Sequence, residues 1–365
     1  MSVLLYLAAA FGVLLQPLSA HAASTATPKV VQTMNRQDVP RDLAVSPSGN
    51  QLAVLTDYGL YVYALGAKGD ICTRPLVASV ALKDAYRLAF TPNGQKIYII
   101  TNGGLLWTYD RTAGRLGGYL NLGISGQLPQ EMQVLEDPSL LFIKHQTFSD
   151  VYIINWRDTS VPVGKLDFDA TGYCMGGPLA ARADAGMVFW TMESSTYEGR
   201  YVMMAKPYRG SMASWNCEIP YKPGALVIGP DPDHLLVAGW DTSQNGDLRI
   251  YRHDHEAGWV NACVLGAFAP ADLAFSNDGY YAVMVDGNRC LLKAVSGHDL
   301  RAVLDPVNPL RFELVRQSQV SLGTCRASRV VMHPTRPVAY VLSGLTKRIQ
   351  RVKIAIPGIE HPLAD

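Results

Sequence analysis

The strongest constraint on the fold is an internal repeat. One unit recurs along the chain: an apolar triplet, a short turn containing Pro with Gly or Asn, a second apolar stretch, a glycine and a third apolar stretch. The clearest copies of its first half span residues 43–49, 88–94 and 273–279. Self-similarity at a fixed period is typical of repeat architectures such as solenoids and propellers. The repeat therefore favours one of these architectures for the whole chain.

The turn marks seven copies of the unit. Successive turn positions differ by 45, 46, 46, 46, 47 and 57 residues, and each unit has room for four short strands, because its apolar runs lie between Gly and Pro turns. Radial repetition of four-stranded sheets leaves only short, protected edges. We therefore predict an all-β fold: a seven-bladed β-propeller of four-stranded antiparallel blades. The turn positions are Pro47, Pro92, Pro138, Asp184, Pro230, Asn277 and Pro334.

The two ends of the repeat array are predicted to close the ring. Residues 29–33 have the pattern of an outermost strand with no strands of its own before it, while the seventh unit ends after Ile354. We expect this N-terminal strand to complete the last blade, since an open sheet edge is a liability. The long last interval predicts an insertion at about 296–326, where His298 and Asp299 are candidates for a lid or a docking element.

The first 22 residues have the order of a secretory signal peptide, with an apolar run at 3–15 and an A-x-A site ending at Ala22. We expect residues 23–365 to form one propeller domain, monomeric and periplasmic or secreted. No later stretch approaches the roughly 18 apolar residues of a membrane helix, so no span is expected in the mature chain. With 32 Lys and Arg against 31 Asp and Glu, the chain lacks the basic field of a non-specific nucleic-acid binder.

Six cysteines in an exported chain permit disulfides, although 15 pairings are open and buried free thiols are the alternative. No C-x-x-C motif, P-loop, H-E-x-x-H helix or EF-hand loop is present. The most metal-like segment is His253-Asp254-His255, which follows an apolar strand into a predicted turn. We interpret it as turn chemistry, and we expect no metal and no cofactor.

The repeat resembles the YVTN-type unit of the lactonase-like propeller superfamily. Phe-Thr-Pro-Asn-Gly at 90–94 with Ile-Tyr-Ile at 97–99, and Leu-Trp-Thr-Tyr-Asp at 106–110, are the best matches, and the likeness extends over all seven units. Such relatives include cytoplasmic sugar lactonases, exported YncE-like binding proteins and propeller domains of redox enzymes. The predicted signal peptide favours the exported group, so the resemblance implies a binding protein.

Charged residues converge where each unit begins. The position five residues before each turn is expected to line one end of the central channel, and four of the seven residues there are charged in a chain with only 17% charged residues. A channel lined by ion pairs is the alternative interpretation. The seven residues are Asp42, Arg87, Gln133, Leu179, Ala225, Asp272 and Arg329.

We expect an exported, non-enzymatic propeller that binds a small anionic ligand or a protein partner on this axial loop face. One alternative is a lactonase-type hydrolase with Glu131 as acid/base beside Arg87 or Arg329; another is an envelope assembly scaffold. The predicted binding residues are Arg41, Asp42, Arg87, Glu131, Asp272, Arg326, Arg329 and Trp240. Further candidates at the same end are Asp57, Lys144, His145, Glu193 and Asp286.

Overall fold

A computed structural model gives the architecture of the chain. No helix in the part of the chain that it describes is long and apolar enough to cross a membrane. The signal peptide predicted for residues 1–22 lies outside this part. The described residues are 27–123, 129–136, 139–145, 151–158, 162–166, 176–182, 186–193, 201–208, 215–219, 222–229, 234–240, 246–254, 258–266, 270–303, 315–323 and 326–362.

Apart from a first strand, β1 (Lys29–Asn35), the strands of the first three blades follow one another along the chain. Blade 1 contains β2 (Pro40–Val45), β3 (Gln51–Thr56), β4 (Gly59–Leu65) and β5 (Ile71–Ala81). Blade 2 contains β6 (Ala85–Phe90), β7 (Lys96–Thr101), β8 (Leu105–Asp110) and β9 (Arg115–Asn121). Blade 3 contains β10 (Pro129–Val134), β11 (Leu140–His145), β12 (Val151–Asn155) and β13 (Pro162–Leu166).

The next three blades repeat this arrangement. Blade 4 contains β14 (Gly176–Arg182), β15 (Met187–Glu193), β16 (Tyr201–Pro207) and β17 (Trp215–Ile219). Blade 5 contains β18 (Lys222–Ile228), β19 (His234–Trp240), β20 (Gly246–Asp254) and β21 (Gly258–Gly266). Blade 6 contains β22 (Pro270–Phe275), β23 (Tyr281–Asp286), β24 (Leu291–Ser296) and, after a short helix α1 (Gly297–Val303), β25 (Gln317–Ser321).

The remaining sheet joins the two ends of the described chain. It contains β26 (Arg329–Met332), β27 (Val338–Ser343) and β28 (Arg348–Lys353), and β1 pairs antiparallel with β28 to give the order β1-β28-β27-β26. The all-β propeller class is thereby confirmed. The prediction of seven four-stranded blades needs a correction, because six blades, not seven, are four-stranded units of consecutive strands. The other four-stranded sheet, the closing blade, is composite.

The innermost strands form a ring around the central channel. Each contacts the innermost strand of the next blade, and β26 contacts β2, so the ring is closed. Buried apolar side chains fill each interface between neighbouring blades; between blade 1 and the closing blade, for example, Leu52 and Val54 pack with Tyr340 and Leu342. Each such side chain contributes about 1.5–3 kcal/mol when it is fully buried. Packing between blades therefore holds the ring and fixes the strands that line its channel.

Strand register corrects the position of the third repeat. Val134 pairs with Leu141 as Val45 pairs with Leu52, so the turn position of this unit falls at residue 136 rather than at Pro138, which lies outside the described residues. No sharp turn signal marks this copy in the sequence, because it lacks the Pro-Gly turn. The correction makes Glu131 the structural equivalent of Asp42, in place of Gln133.

The segment predicted as an insertion contains both α1 and the blade strand β25. Asp299 on α1 accepts hydrogen bonds from the backbone N–H and Nε of Arg316 at 2.8 Å each and from its Nη2 at 2.7 Å. Burial would raise the pKa of Asp299, but the hydrogen bonds and charge of Arg316 outweigh it and lower that pKa. These hydrogen bonds attach α1 to the residue that directly precedes β25.

The predicted disulfides have no support in the described residues. Cys72, which is exposed, and Cys290, which is half-buried, both carry free thiols. Cys174 and Cys325 lie outside the described residues, and Cys217 and Cys263 lie on strands whose side chains at these positions are not described.

Candidate functional site

A β-bulge near the start of the innermost strand recurs in several blades. The register shifts between Pro40 and Asp42, and equivalent shifts occur in blades 2, 3, 5 and 6. Bulges of this kind re-aim the side chains beside them. We call the seven residues at the register position of Asp42 the axial ring; in order round the channel they are Asp42, Arg87, Glu131, Leu179, Ala225, Asp272 and Arg329.

Arg329 is the hub of the axial ring. Its Nε donates to Asp42 Oδ1 at 2.9 Å, and its Nη1 and Nη2 donate to Glu131 Oε2 and Oε1, at 3.0 Å each. Asp272 Oδ1 lies 3.8 Å from Arg329 Nη1. Forked pairing of this kind between guanidinium and carboxylate combines strength with a fixed geometry. One arginine from the closing blade is therefore tied to blades 1 and 3 and lies beside blade 6.

The carboxylates also hold backbone groups of the next blade. Asp42 Oδ2 accepts the N–H of Leu88 at 2.9 Å, and Asp272 Oδ2 accepts the N–H of Val330 at 2.8 Å. Each bond joins the innermost strands of two adjacent blades. The charged part of the axial ring consequently has a structural role, whatever it binds.

The pKa values of the ring follow from burial and from its two arginines. Burial would raise the pKa of Glu131, but the positive charges of Arg329 and Arg87 outweigh it and lower that pKa. Burial raises the pKa of Asp272 to about 6, with the negative charge of Glu131 adding to the effect and Arg329 opposing it. Burial alone would lower the pKa of Arg329, yet the three carboxylates raise it well above its ordinary value. Arg329 is therefore a permanent cation, whereas Asp272 titrates near neutral pH.

Beyond Arg329 the channel opens into a cavity of about 810 Å³, which we call the mouth. Its residues come from the connections between blades and from the β23–β24 and β27–β28 turns, the end at which we expected function. Arg41, Arg326 and Lys347 are exposed, and Arg87 is half-buried. Among the described residues, no Asp or Glu lines the mouth. The lining comprises Val39, Pro40, Arg41, Tyr86, Arg87, Ala271, Gly287, Asn288, Arg326, Ala327, Ser328, Arg329, Gly344, Leu345 and Lys347.

The mouth also presents apolar surface. Leu345, in the β27–β28 turn, is 70% exposed. The guanidinium of Arg87 lies over the ring of Tyr86, 4.8 Å from its centroid, and Lys347 Nζ donates to the carbonyl oxygen of Gln37 at 2.8 Å. The mouth is thus a basic surface with aliphatic and aromatic contacts, and Arg329 forms its floor.

On the other side of Arg329 lies a second cavity of about 330 Å³, the inner cavity, bordered by Glu131, Asp272 and Arg329. Arg329 is the residue that lines both cavities. The rest of the inner lining comes from the innermost strands of blades 3 to 6 and of the closing blade.

The predicted site residues divide accordingly. Asp42, Glu131, Asp272 and Arg329 meet in the axial ring, as the hydrogen bonds and distances above show. Arg41, Arg87 and Arg326 line the mouth. Trp240 ends β19, and its side chain lies outside the described ones.

Two of the further candidates accept hydrogen bonds from backbone groups close to them in the sequence or in space. Asp57 Oδ1 accepts the N–H of Val39 at 2.9 Å, and Asp286 Oδ1 accepts the N–H groups of Asn288 and Arg289, so both carboxylates organise turns. Lys144 is fully buried and pairs in register with Glu131. The side chains of His145 and Glu193 are not described.

The other candidates of the sequence lie elsewhere. His298 on α1 is exposed and makes an edge contact with Tyr280, with ring centroids 4.8 Å apart. His253 and Asp254 lie on β20 without described side chains, and His255 lies outside the described residues. Within the described part of the chain, no group of His, Cys, Asp and Glu could hold a metal ion.

Sequence reasoning missed Tyr86, Asn288, Leu345 and Lys347 in the mouth. Tyr86 has a usable signal, since it occupies the same bulge position as Arg41, one residue before the axial ring. The other three lie in turns between second and third strands, where no repeat position singles them out.

Comparison with known proteins supports the fold. No family model matches the chain, and no curated protein matches its sequence. Solved structures that resemble it include hydrazine synthase of Kuenenia stuttgartiensis, at 11% identity and TM-score 0.69 over 88% of this chain and 98% of that chain. The Cps50 (Swd1) β-propeller domain of Myceliophteria thermophila gives 12% identity and TM-score 0.65 over 90% and 100%.

A chain of the mitotic checkpoint complex gives 12% identity and TM-score 0.69 over 97% of this chain and 99% of that chain. At such low identity the likeness shows a shared fold and nothing of function, because one fold hosts many unrelated activities. The information about function therefore lies in the charges and contacts of the axial ring and the mouth.

Proposed function

We propose that this chain is a non-enzymatic binding protein whose mouth takes an acidic segment of a protein partner. The observation that carries the proposal is the charge of the mouth, whose described lining residues include five basic ones and no carboxylate. The five are Arg41, Arg87, Arg326, Arg329 and Lys347. Complementary charge steers encounter and fixes orientation. Loops on a rigid scaffold are also where binding residues concentrate.

A polypeptide fits the mouth better than a small anion. The mouth is open and has a volume of about 810 Å³. Leu345, which is 70% exposed, is part of its lining. Tyr58, in the β3–β4 turn of the neighbouring blade at the same end, is 68% exposed. Exposed apolar groups rimmed by polar residues mark protein-interaction surfaces. An acidic segment with an apolar side chain would use both features, whereas a small anion would use the charge alone.

A lactonase-type hydrolase has less support. Both oxygens of Glu131 accept hydrogen bonds from Arg329, and its lowered pKa makes it a weak proton acceptor. A general base works best with a pKa near the working pH, which Asp272 approaches at about 6. Asp272, rather than Glu131, would therefore be the residue to substitute in any assay for hydrolysis.

We also propose that the chain is exported and that it belongs to the YVTN-type propellers. Residues 1–22 support a signal peptide, and the turns Ser-Pro-Ser-Gly at 46–49 and Thr-Pro-Asn-Gly at 91–94 support membership of the YVTN-type propellers. We expect the chain to be monomeric and periplasmic or secreted. N-terminal sequencing of the protein made in a bacterial host tests export. A start near Ala23 supports it, and a start at Met1 in the membrane fraction contradicts it.

The binding proposal is tested with a fluorescent peptide that alternates Glu and Leu, its Gln-Leu counterpart and free citrate as competitor. Substituting Arg41, Arg87 and Arg326 together by Ala is expected to lower affinity for the Glu-Leu peptide about tenfold or more, because charge complementarity is lost. A control with Arg74, Arg115 and Arg157 replaced by Ala makes the same charge change on exposed positions outside the mouth.

Peptide binding that survives the first triple substitution, or falls equally with the second, overturns the proposal. Tight citrate binding that displaces the peptide would instead favour a small anionic ligand.

A further inference from the structure

The axial ring is asymmetric, and its apolar side borders the inner cavity. Five of the seven ring residues are charged and lie together round the channel, whereas Leu179 and Ala225 of blades 4 and 5 are apolar and are only 3% exposed each. The cavity continues along β18 to Ile228, two residues before the turn at Pro230. It therefore extends from the Arg329 layer toward the end of the propeller opposite the mouth.

The inner cavity has the make-up of a small-molecule site. Its volume of about 330 Å³ is at the lower end of ligand pockets, and its lining is mainly apolar with a few polar groups at one end. The charged groups that border it in the described part of the chain are Glu131, Asp272 and Arg329, with a formal net charge of −1. Because both oxygens of Glu131 are bound to Arg329, the carboxylate left to meet a ligand is that of Asp272.

Asp272 accepts backbone hydrogen bonds from Val330 and Leu273. Its Oδ2 accepts the N–H of Val330 at 2.8 Å, whereas its Oδ1 is 3.8 Å from Arg329 Nη1, beyond hydrogen-bonding distance. The side chain is 11% exposed and lines the cavity. A buried carboxylate that lies beside a cation without a hydrogen bond to it gains most from a partner that donates hydrogen bonds and carries positive charge.

We propose that the inner cavity binds a small amphiphilic cation, an alkyl- or arylammonium whose ammonium group donates to Asp272 Oδ1 and whose apolar body packs against Leu179 and Ala225. This site goes beyond the proposed function, since it lies across Arg329 from the mouth and has the opposite charge preference. The two sites could therefore be occupied together, with Arg329 and its carboxylates between them.

The test uses benzylammonium, with benzyl alcohol and benzoate as neutral and anionic analogues of similar size. Isothermal titration is expected to give a dissociation constant of roughly 0.1–1 mM for benzylammonium, the range for a ligand of this size. Benzyl alcohol should bind about tenfold more weakly, and benzoate should not bind.

Two variants locate the site. Asp272→Asn keeps an acceptor for the Val330 N–H and removes the charge, so benzylammonium affinity should fall about tenfold or more. Val227→Phe enlarges a half-buried residue of the cavity lining and should abolish binding of both benzylammonium and benzyl alcohol, which keeps the test valid if the Asp272 variant does not fold. Arg74→Ala, at an exposed position outside both the mouth and the inner cavity, should leave benzylammonium binding unchanged.

Equal binding of benzylammonium and benzoate, no binding of benzylammonium, or unchanged binding by both inner-cavity variants overturns the proposal. None of these outcomes depends on peptide binding at the mouth, so the two proposals can fail separately.

Discussion

The mouth and the axial ring are both rich in arginine, but they use it differently. In the ring, Arg329 is held by Asp42 and Glu131 and lies beside Asp272, so its donors are engaged within the protein. In the mouth, Arg41 and Arg326 are exposed, and the lining in the described part of the chain contains no carboxylate. An arginine among carboxylates joins blades, whereas an arginine among loops without carboxylates can meet a partner.

The largest expected effect is on the free energy of unfolding, which should depend on the ring arginine and not on an arginine of the mouth. Arg329→Met removes the cation from three buried or half-buried carboxylates, which is expected to lower the free energy of unfolding by about 3–5 kcal/mol. Arg326→Met in the mouth should change it by less than about 0.5 kcal/mol. Urea unfolding followed by tryptophan fluorescence measures both. Equal effects of the two substitutions would contradict the division between ring and mouth.

The next effect concerns pH and isolates Asp272. Its pKa is about 6 in the folded chain against an ordinary value of 3.8, so between these values the folded state keeps a proton that the unfolded state has lost. The stability contributed by this group is therefore present below about pH 4 and is lost as pH rises through 6. Relative to Asp272→Asn, the wild type should lose on the order of 2–3 kcal/mol between pH 4 and 7.

Glu131, Asp42 and Arg329 face Asp272 in both proteins, so the difference between the two unfolding curves reports mainly on Asp272. The lowered pKa of Glu131 acts in the opposite direction, because its contribution is lost as pH falls through that pKa. A difference that stays constant from pH 4 to 7 would show that Asp272 keeps an ordinary pKa.

The smallest effect concerns salt. The exposed cations of the mouth are screened by ions, with a Debye length of about 10 Å at 0.1 M, whereas a group beside Asp272 is largely shielded from them. Raising NaCl from 0.05 to 0.5 M should lower the affinity of the mouth for the Glu-Leu peptide several-fold. The affinity of the inner cavity for benzylammonium should stay nearly unchanged. Equal salt dependence of the two affinities would remove the distinction between the exposed cations of the mouth and the buried Asp272 of the inner cavity.

The sequence was sufficient to predict the propeller, its closing strand and the end that carries the basic loops, because repeat spacing and strand patterning are local signals. It misplaced the third turn, because this copy lacks Pro-Gly and the even 46-residue spacing favoured Pro138, and so assigned Gln133 to a position that Glu131 holds. It also left open whether Arg329 binds a ligand together with Arg41 and Arg326 or takes part in ion pairs that line the channel. Only the three-dimensional contacts show that carboxylates from distant blades, such as Asp42 and Glu131, already engage Arg329.

The most direct test of the central claim is to map where an acidic partner lies. A Glu-Leu peptide with a photoreactive benzoylphenylalanine is bound to the full chain, irradiated and digested for mass spectrometry. We expect crosslinks to the mouth, to Tyr86, Ser328 and Leu345, and their loss in the Arg41, Arg87 and Arg326 triple variant. Crosslinks that concentrate instead on the turns at Pro47 and Pro92, at the opposite end of the propeller, would contradict the account.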